Sequence, residues 1–204
     1  MGSADDGLHG RVLVVCTANV CRSPLAAALL ADAFPALQVL SAGVQAPVGA
    51  AMCTVSATRL PRGAADAHVA RQLTRSLVDG SDLVVTLERE HRAAAVRLSP
   101  GSQSKVFTLR EVAALSRGLA DRGAPQPSDA RALAAALHGV RGIVPIPAAP
   151  PPRRRWWQRP VEPEDALTIV DGHGRRPQEH ELAVDQVAST VRDAATAIRA
   201  LRAS

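Results

Sequence analysis

Four short apolar, β-prone runs, Val12–Val15, Val39–Ala42, Asp82–Leu87 and Val106–Leu109, recur along the chain, each followed by a stretch with helical spacing. Strand–helix repetition of this kind has few solutions. Strands joined by helices run parallel, and a parallel sheet must be covered on both faces. The expected fold is α/β: a single domain with a central four-stranded parallel sheet and helices on both faces. A final helix is predicted over Glu179–Ala203, where Val184, Val187, Val191, Ala194, Ile198 and Leu201 fall at steps of three and four.

Residues 1–10 read as a disordered leader or a cloning remnant, and residues 11–204 as the domain. A Pro/Arg-rich insert interrupts it over about 121–165. Within that span Asp129–Val140 reads as an Ala-rich helix, and Pro145–Pro160 as a loop. Both tryptophans, Trp156 and Trp157, follow the basic tract Arg153–Arg155. They suit either a lid over a neighbouring site or a surface loop covering an apolar patch.

With 204 residues, 47% of them hydrophobic, the chain can bury a core of its own. No apolar run is long enough to span a membrane, and the start lacks the basic-then-apolar order of a secretion signal. Cys16, Cys21 and Cys53 are too few, and odd in number, for a disulfide framework, which points to a reducing, cytoplasmic setting. No Cys/His spacing has the form of a zinc motif, so no metal is expected. The net charge is +5, but the arginines are scattered and tyrosine is absent. An arginine-biased solvated surface accounts for this better than a nucleic-acid footprint.

The stretch V-L-V-V-C-T-A-N-V-C-R-S-P, Val12–Pro24, carries the chemistry. An apolar strand delivers Cys16 to the carboxyl edge of the sheet, where open α/β folds bind ligands. Ser23 is predicted to cap a helix with Pro24 at its first position. The loop then wraps a helix N-terminus, whose unpaired N–H groups and dipole attract an anion. Arg22 adds a planar fork able to hold two oxygens of a tetrahedral oxyanion. The same field favours a thiolate at Cys16, placing nucleophile and anion in one pocket. Taken singly, a buried strand cysteine and an arginine are ordinary features; together with the serine and proline they are not.

The string C-T-A-N-V-C-R-S-P resembles the phosphate loop of the low-molecular-weight protein tyrosine phosphatases. Further likenesses are S-A-G at Ser41–Gly43, A-H-V-A-R-Q-L at Ala67–Leu73, S-D-L-V-V-T-L at Ser81–Leu87 and D-G-H-G at Asp171–Gly174. The resemblance implies a cofactor-free phosphotyrosine phosphatase acting through a phosphocysteine. Its substrates would be phosphotyrosine proteins or peptides, with inorganic phosphate or a similar oxyanion in the loop Thr17, Ala18, Asn19, Val20, Cys21. It makes Cys16 the nucleophile, Arg22 the phosphate ligand and Ser23 a hydrogen-bond partner of the thiolate. Asn19 would hold the loop's shape through Ser41 and His68. Out of that context, His68 reads as an ordinary helix histidine. Cys21 is either a redox partner of Cys16, as in the family, or a small loop residue. Cys53 reads as a buried apolar side chain.

The resemblance also implies a carboxylic acid from a late loop, to protonate the leaving oxygen and then activate water. Asp171 stands at that position, although D-G is also a plain turn signal. Gly172 replaces the family's proline, which predicts a more mobile loop. His173 stands where an aromatic pocket wall is usual. Ala18 replaces a glycine, a strain of roughly 1–2 kcal/mol if the position is left-handed. Two alternatives share the loop: arsenate reduction with a small external thiol, and a non-catalytic module that binds phosphate or phosphoproteins.

Overall fold

The computed structural model describes residues 8–125, 127–146, 166–172 and 176–202. The elements run β1 (Gly10–Cys16), α1 (Arg22–Ala33), β2 (Leu37–Gly43), α2 (Thr54–Ala57), α3 (Arg75–Asp79), β3 (Leu83–Thr86) and α4 (Arg89–Leu98). A 3₁₀ turn (Pro100–Lys105) then leads to β4 (Val106–Thr108), α5 (Leu109–Ala120), α6 (Ala130–Val140) and α7 (Pro177–Arg202). The sheet is four-stranded and wholly parallel, in the order β2-β1-β3-β4. All four strands and the final helix fall where the sequence periodicity predicts.

Strand alternation sorts the core into two layers. Val12, Val14, Cys16, Leu83, Val85 and Phe107 face α1, α5, α6 and α7, while Leu13, Val15, Val84 and Val106 face the segment holding Val78 and Ala95. Both faces are therefore covered, as a parallel sheet requires. From β1 the chain crosses to β2 on one side and then to β3 on the other. That reversal opens a crevice at the carboxyl end of β1, where Cys16 lies. No described helix is long and apolar enough to cross a membrane.

Two boundaries differ from the sequence expectation. Leu8, placed in the leader, is buried in the core, and His9 pairs with Asp129 in an isolated bridge. Helix α6, placed inside the insert, is part of the core: Asp129 caps it by accepting from Ala132 N at 2.8 Å, and Leu133 and Leu137 are fully buried. The tract Arg153–Trp157 lies outside the described residues.

Candidate active site

The loop between β1 and α1 is built around one left-handed residue. Asn19, at φ 55°, is the one non-glycine residue with positive φ among the described residues, a conformation asparagine tolerates better than most. Its side chain ties three strands of backbone together. Nδ2 donates to Ser23 Oγ (3.0 Å) and Ser41 Oγ (2.9 Å), while Oδ1 accepts from Arg71 N (2.9 Å). Its carbonyl oxygen meets His68 Nε2 at 2.7 Å. His68 sits in an irregular segment, not on the helix its sequence context suggested. Ala18 lacks a positive φ, so replacing glycine there introduces no left-handed strain.

Cys16 ends β1 with its Sγ 3.0 Å from Ser23 Oγ and 3.3 Å from Asn19 N. Ser23 does not cap α1 as expected. The helix begins at Arg22 with Cys21 in the cap position, which places Ser23 and Pro24 in the first turn. The first intrahelical bond runs from Leu25 N to Cys21 O, so the amides of Arg22 and Ser23 precede the helix's own acceptors. Pro24 has no N–H to leave unpaired there. The serine hydroxyl is thereby released from capping and turned to the cysteine.

Gly43, at the end of β2, packs directly on this loop. A Cβ there would lie 2.6 Å from Thr17 O and 2.8 Å from Asn19 N. Val44 N and Gln45 N donate to Cys16 O and Thr17 O, and Cys53 N donates to Val20 O at 2.7 Å. Val20 is buried in the core beneath its own turn. The loop is thus fixed on both sides by backbone bonds.

Arg22 is 1% exposed and fully engaged. Nη1 pairs with Glu88 Oε1 and donates to Ile169 O at 2.8 Å; Nη2 lies 3.3 Å from Thr17 Oγ1 and 2.5 Å from Asp171 Oδ2. Burial by itself would lower the guanidinium's pKa, but the hydrogen bond with Glu88 and the charges of Asp171 and Cys16 outweigh it and raise it. A fixed cation and a thiol are thus brought to the mouth of one helix N-terminus.

Asp171 reaches this point through a docked segment. Ile169 is buried, donates its N–H to Leu87 O and accepts from Arg22, joining the segment to the sheet edge and the guanidinium together. Gly172 is pressed against α7: a Cβ would come within 2.6 Å of Glu179 O and of His180 Cα. The glycine therefore answers a packing demand, whereas the sequence suggested only a more mobile loop. His173 lies outside the described residues.

Several contributors had no signal in the sequence. Glu88 follows β3 and carries the Arg22 pair. His91, 3% exposed, has Nε2 3.0 Å from Thr17 Oγ1, and burial pushes its pKa down to about 4. Cys53 is half-buried rather than buried; it packs against the core and makes polar contacts as well. Its Sγ lies 3.3 Å from Ser56 Oγ, and Cys21 Sγ lies 3.0 Å from the same hydroxyl and 3.0 Å from His180 Nε2. The interaction between the two thiols raises the Cys21 pKa and lowers that of Cys53. Cys21, Cys53 and His180 are also the described residues best placed to hold a metal.

Comparison with known proteins agrees with this geometry. The family model described as low molecular weight phosphotyrosine protein phosphatase matches residues 11–135. The low molecular weight protein-tyrosine-phosphatase Wzb of Salmonella typhi is 41% identical over 105 residues, covering 49% of this chain and 68% of Wzb. A protein-arginine-phosphatase of Geobacillus stearothermophilus is 37% identical over 103 residues, covering 50% and 70% of the two chains. Among solved structures, the tyrosine phosphatase Wzb from Escherichia coli in complex with phosphate superposes with a TM-score of 0.60 at 18% identity, over 93% of this chain and 98% of that one. The loop, the sheet and these matches agree: the chain belongs to the low molecular weight phosphotyrosine protein phosphatase family.

Proposed function

We propose that this chain is a phosphotyrosine phosphatase that works through a phosphocysteine at Cys16. The observation that carries the reading is the joint placement of Cys16, Arg22 and Asp171. A thiol ends β1, a buried guanidinium follows it at the helix start, and a carboxylate from the far end of the chain meets that guanidinium at 2.5 Å. The family match ends at residue 135, so the assignment of Asp171 rests on this contact and on its position before α7.

In the proposed reaction the dianionic phosphate enters the loop Thr17–Cys21, met by its amides and by Arg22, which exchanges contact with Asp171 for phosphate oxygens. Cys16 attacks phosphorus in line, forming the S–P bond as the P–O bond to the aryl oxygen breaks. Asp171, protonated, gives its proton to that leaving oxygen. As a carboxylate it then takes a proton from the water that attacks phosphocysteine, releasing inorganic phosphate and the thiolate. Ser23 and the Asn19 amide stabilise the thiolate by hydrogen bonds, at 3.0 and 3.3 Å. Amides and Arg22 supply the charge compensation, so the mechanism calls for no cofactor.

Similarity to an arginine phosphatase supports a second reading, in which the same loop cleaves a P–N bond. Rates on a phosphotyrosine peptide and a phosphoarginine peptide of matched sequence separate the two. The tyrosine reading predicts turnover of the first at least about 100-fold faster, a loss of activity in Cys16→Ser and a fall of roughly 10²–10⁴-fold in Asp171→Ala. Preference for phosphoarginine would replace it with the second reading. Phosphate binding without turnover of either would leave a binding module.

A further inference from the structure

No zinc-type spacing exists along the chain, yet the fold assembles three suitable ligands. Cys21 precedes α1, Cys53 precedes α2, and His180 lies in the first turn of α7. Their ligand atoms all lie within 4.8 Å of one another. His180 Nε2 is 3.0 Å from Cys21 Sγ and 3.6 Å from Cys53 Sγ.

We propose that Cys21, Cys53 and His180 form a binding site for a borderline-soft divalent cation, zinc foremost, distinct from the phosphate loop's reacting groups. Zinc–sulfur and zinc–nitrogen bonds at tetrahedral angles set sulfur and nitrogen about 3.5 Å apart, and the two sulfurs about 3.8 Å apart. The two observed sulfur–nitrogen spacings bracket the first value, and all three ligand atoms lie within 4.8 Å of one another, so small side-chain rotations seat the ion. Two thiols and an imidazole suit zinc and not calcium or magnesium, which take oxygen ligands. Ser56 is fully buried, with its Oγ 3.0 Å from Cys21 Sγ and 3.3 Å from Cys53 Sγ. With both sulfurs as thiolates, its single hydroxyl proton is placed to go to one of them and orient it, leaving the fourth metal position to water. Binding displaces the thiol protons and takes His180 as neutral imidazole.

The placement gives such an ion a consequence. Cys21 adjoins Arg22 in sequence, and His180 backs Gly172 next to Asp171. A bound ion fastens the start of α7, and with it the segment carrying Asp171, to the phosphate loop.

The test uses the full chain, stripped with a chelator and kept in a non-thiol reductant so that Cys21 and Cys53 stay reduced. Zinc is titrated against a chromophoric chelator, with cobalt(II) as the spectroscopic probe. One equivalent should bind, and cobalt should show thiolate charge-transfer and tetrahedral d–d bands. Cys16→Ser should bind zinc as the parent does, which separates this site from the proposed nucleophile. Cys53→Ser and His180→Gln should each weaken zinc by at least about 100-fold, beyond the 10–100-fold typical of losing an outer-shell contact. Zinc should also protect Cys53, the more exposed of the two thiols, from alkylation in the unmutated chain, a readout that needs no variant to fold. Absence of the charge-transfer band, equal alkylation with and without zinc, or binding lost in Cys16→Ser but kept in Cys53→Ser would overturn the proposal.

Discussion

Glu88 pairs with the buried guanidinium of Arg22 through Nη1, the same nitrogen that donates to Ile169 O. One carboxylate thus fixes both the direction of the arginine fork and the approach of the segment leading to Asp171. Glu88 side-chain exposure is 15% against 1% for Arg22, so the pair is shielded from solvent. Removing the partner of a buried charge costs up to about 3–5 kcal/mol, and less where, as here, Arg22 keeps a second carboxylate in Asp171 at 2.5 Å. Glu88→Ala should lower unfolding free energy toward that range and reduce kcat by about tenfold or more as the fork loosens. Glu88→Gln, which keeps a hydrogen-bond acceptor, should lose less of both. Urea unfolding and aryl phosphate kinetics check this, and equal effects of the two substitutions would argue against a role for the charge.

Gly43 should tolerate no side chain. A Cβ 2.6 Å from Thr17 O and 2.8 Å from Asn19 N meets backbone on both sides, which cannot swing away as a flexible side chain could. Gly43→Ala should cost about 1–3 kcal/mol of stability through overpacking. It should also weaken phosphate binding, because relief of the clash has to displace the loop itself. Isothermal titration with inorganic phosphate reads the second effect, and unchanged affinity would show that β2 yields instead.

Asn19 carries the loop's left-handed turn and three side-chain bonds, two of them buried and the third partly so. Asn19→Ala strains the backbone and strips partners from Ser41 and the Arg71 amide. A loss of about 2–4 kcal/mol follows from these two causes together. Thermal or urea denaturation measures it, and a loss below about 1 kcal/mol would mean the loop reorganises around the gap.

His91 gives the fold a defined acid sensitivity. Its pKa falls to about 4 because it is buried, with Glu88 opposing the shift and Arg22 adding to it. Unfolded, it takes up a proton near pH 6.5. Between these two values the unfolded chain binds more protons, so stability falls as the pH falls. The contribution is fully present above about pH 6.5 and lost toward about pH 4, on the order of 3 kcal/mol in all. His91→Gln should flatten that part of the stability–pH curve, and superimposable slopes for parent and variant would contradict the prediction.

The strands and the last helix were legible because burial imposes a period on contiguous residues, and Val12–Val15 or Val184–Leu201 show it directly. Other features were set by neighbours distant in sequence. Ser23 looked like a cap because Ser-Pro opens many helices, but Asn19 and Cys16 claim its hydroxyl and the helix starts two residues earlier. Gly172 read as the mark of a more mobile loop, while its reason is the backbone of Glu179 and His180. Glu88, His91 and Ser56 carry no local pattern at all. Each is an ordinary polar residue until the fold sets it against Arg22, Thr17 or the two cysteines.

The central claim is a covalent phosphate on Cys16, and acid quenching during turnover of a radiolabelled aryl phosphate tests it most directly. Asp171→Asn should prolong the intermediate, since that variant lacks the base proposed to activate water. The expected result is label on the peptide containing Cys16 that is absent in Cys16→Ser. Continued turnover with no label on Cys16, or label on another residue, would contradict it.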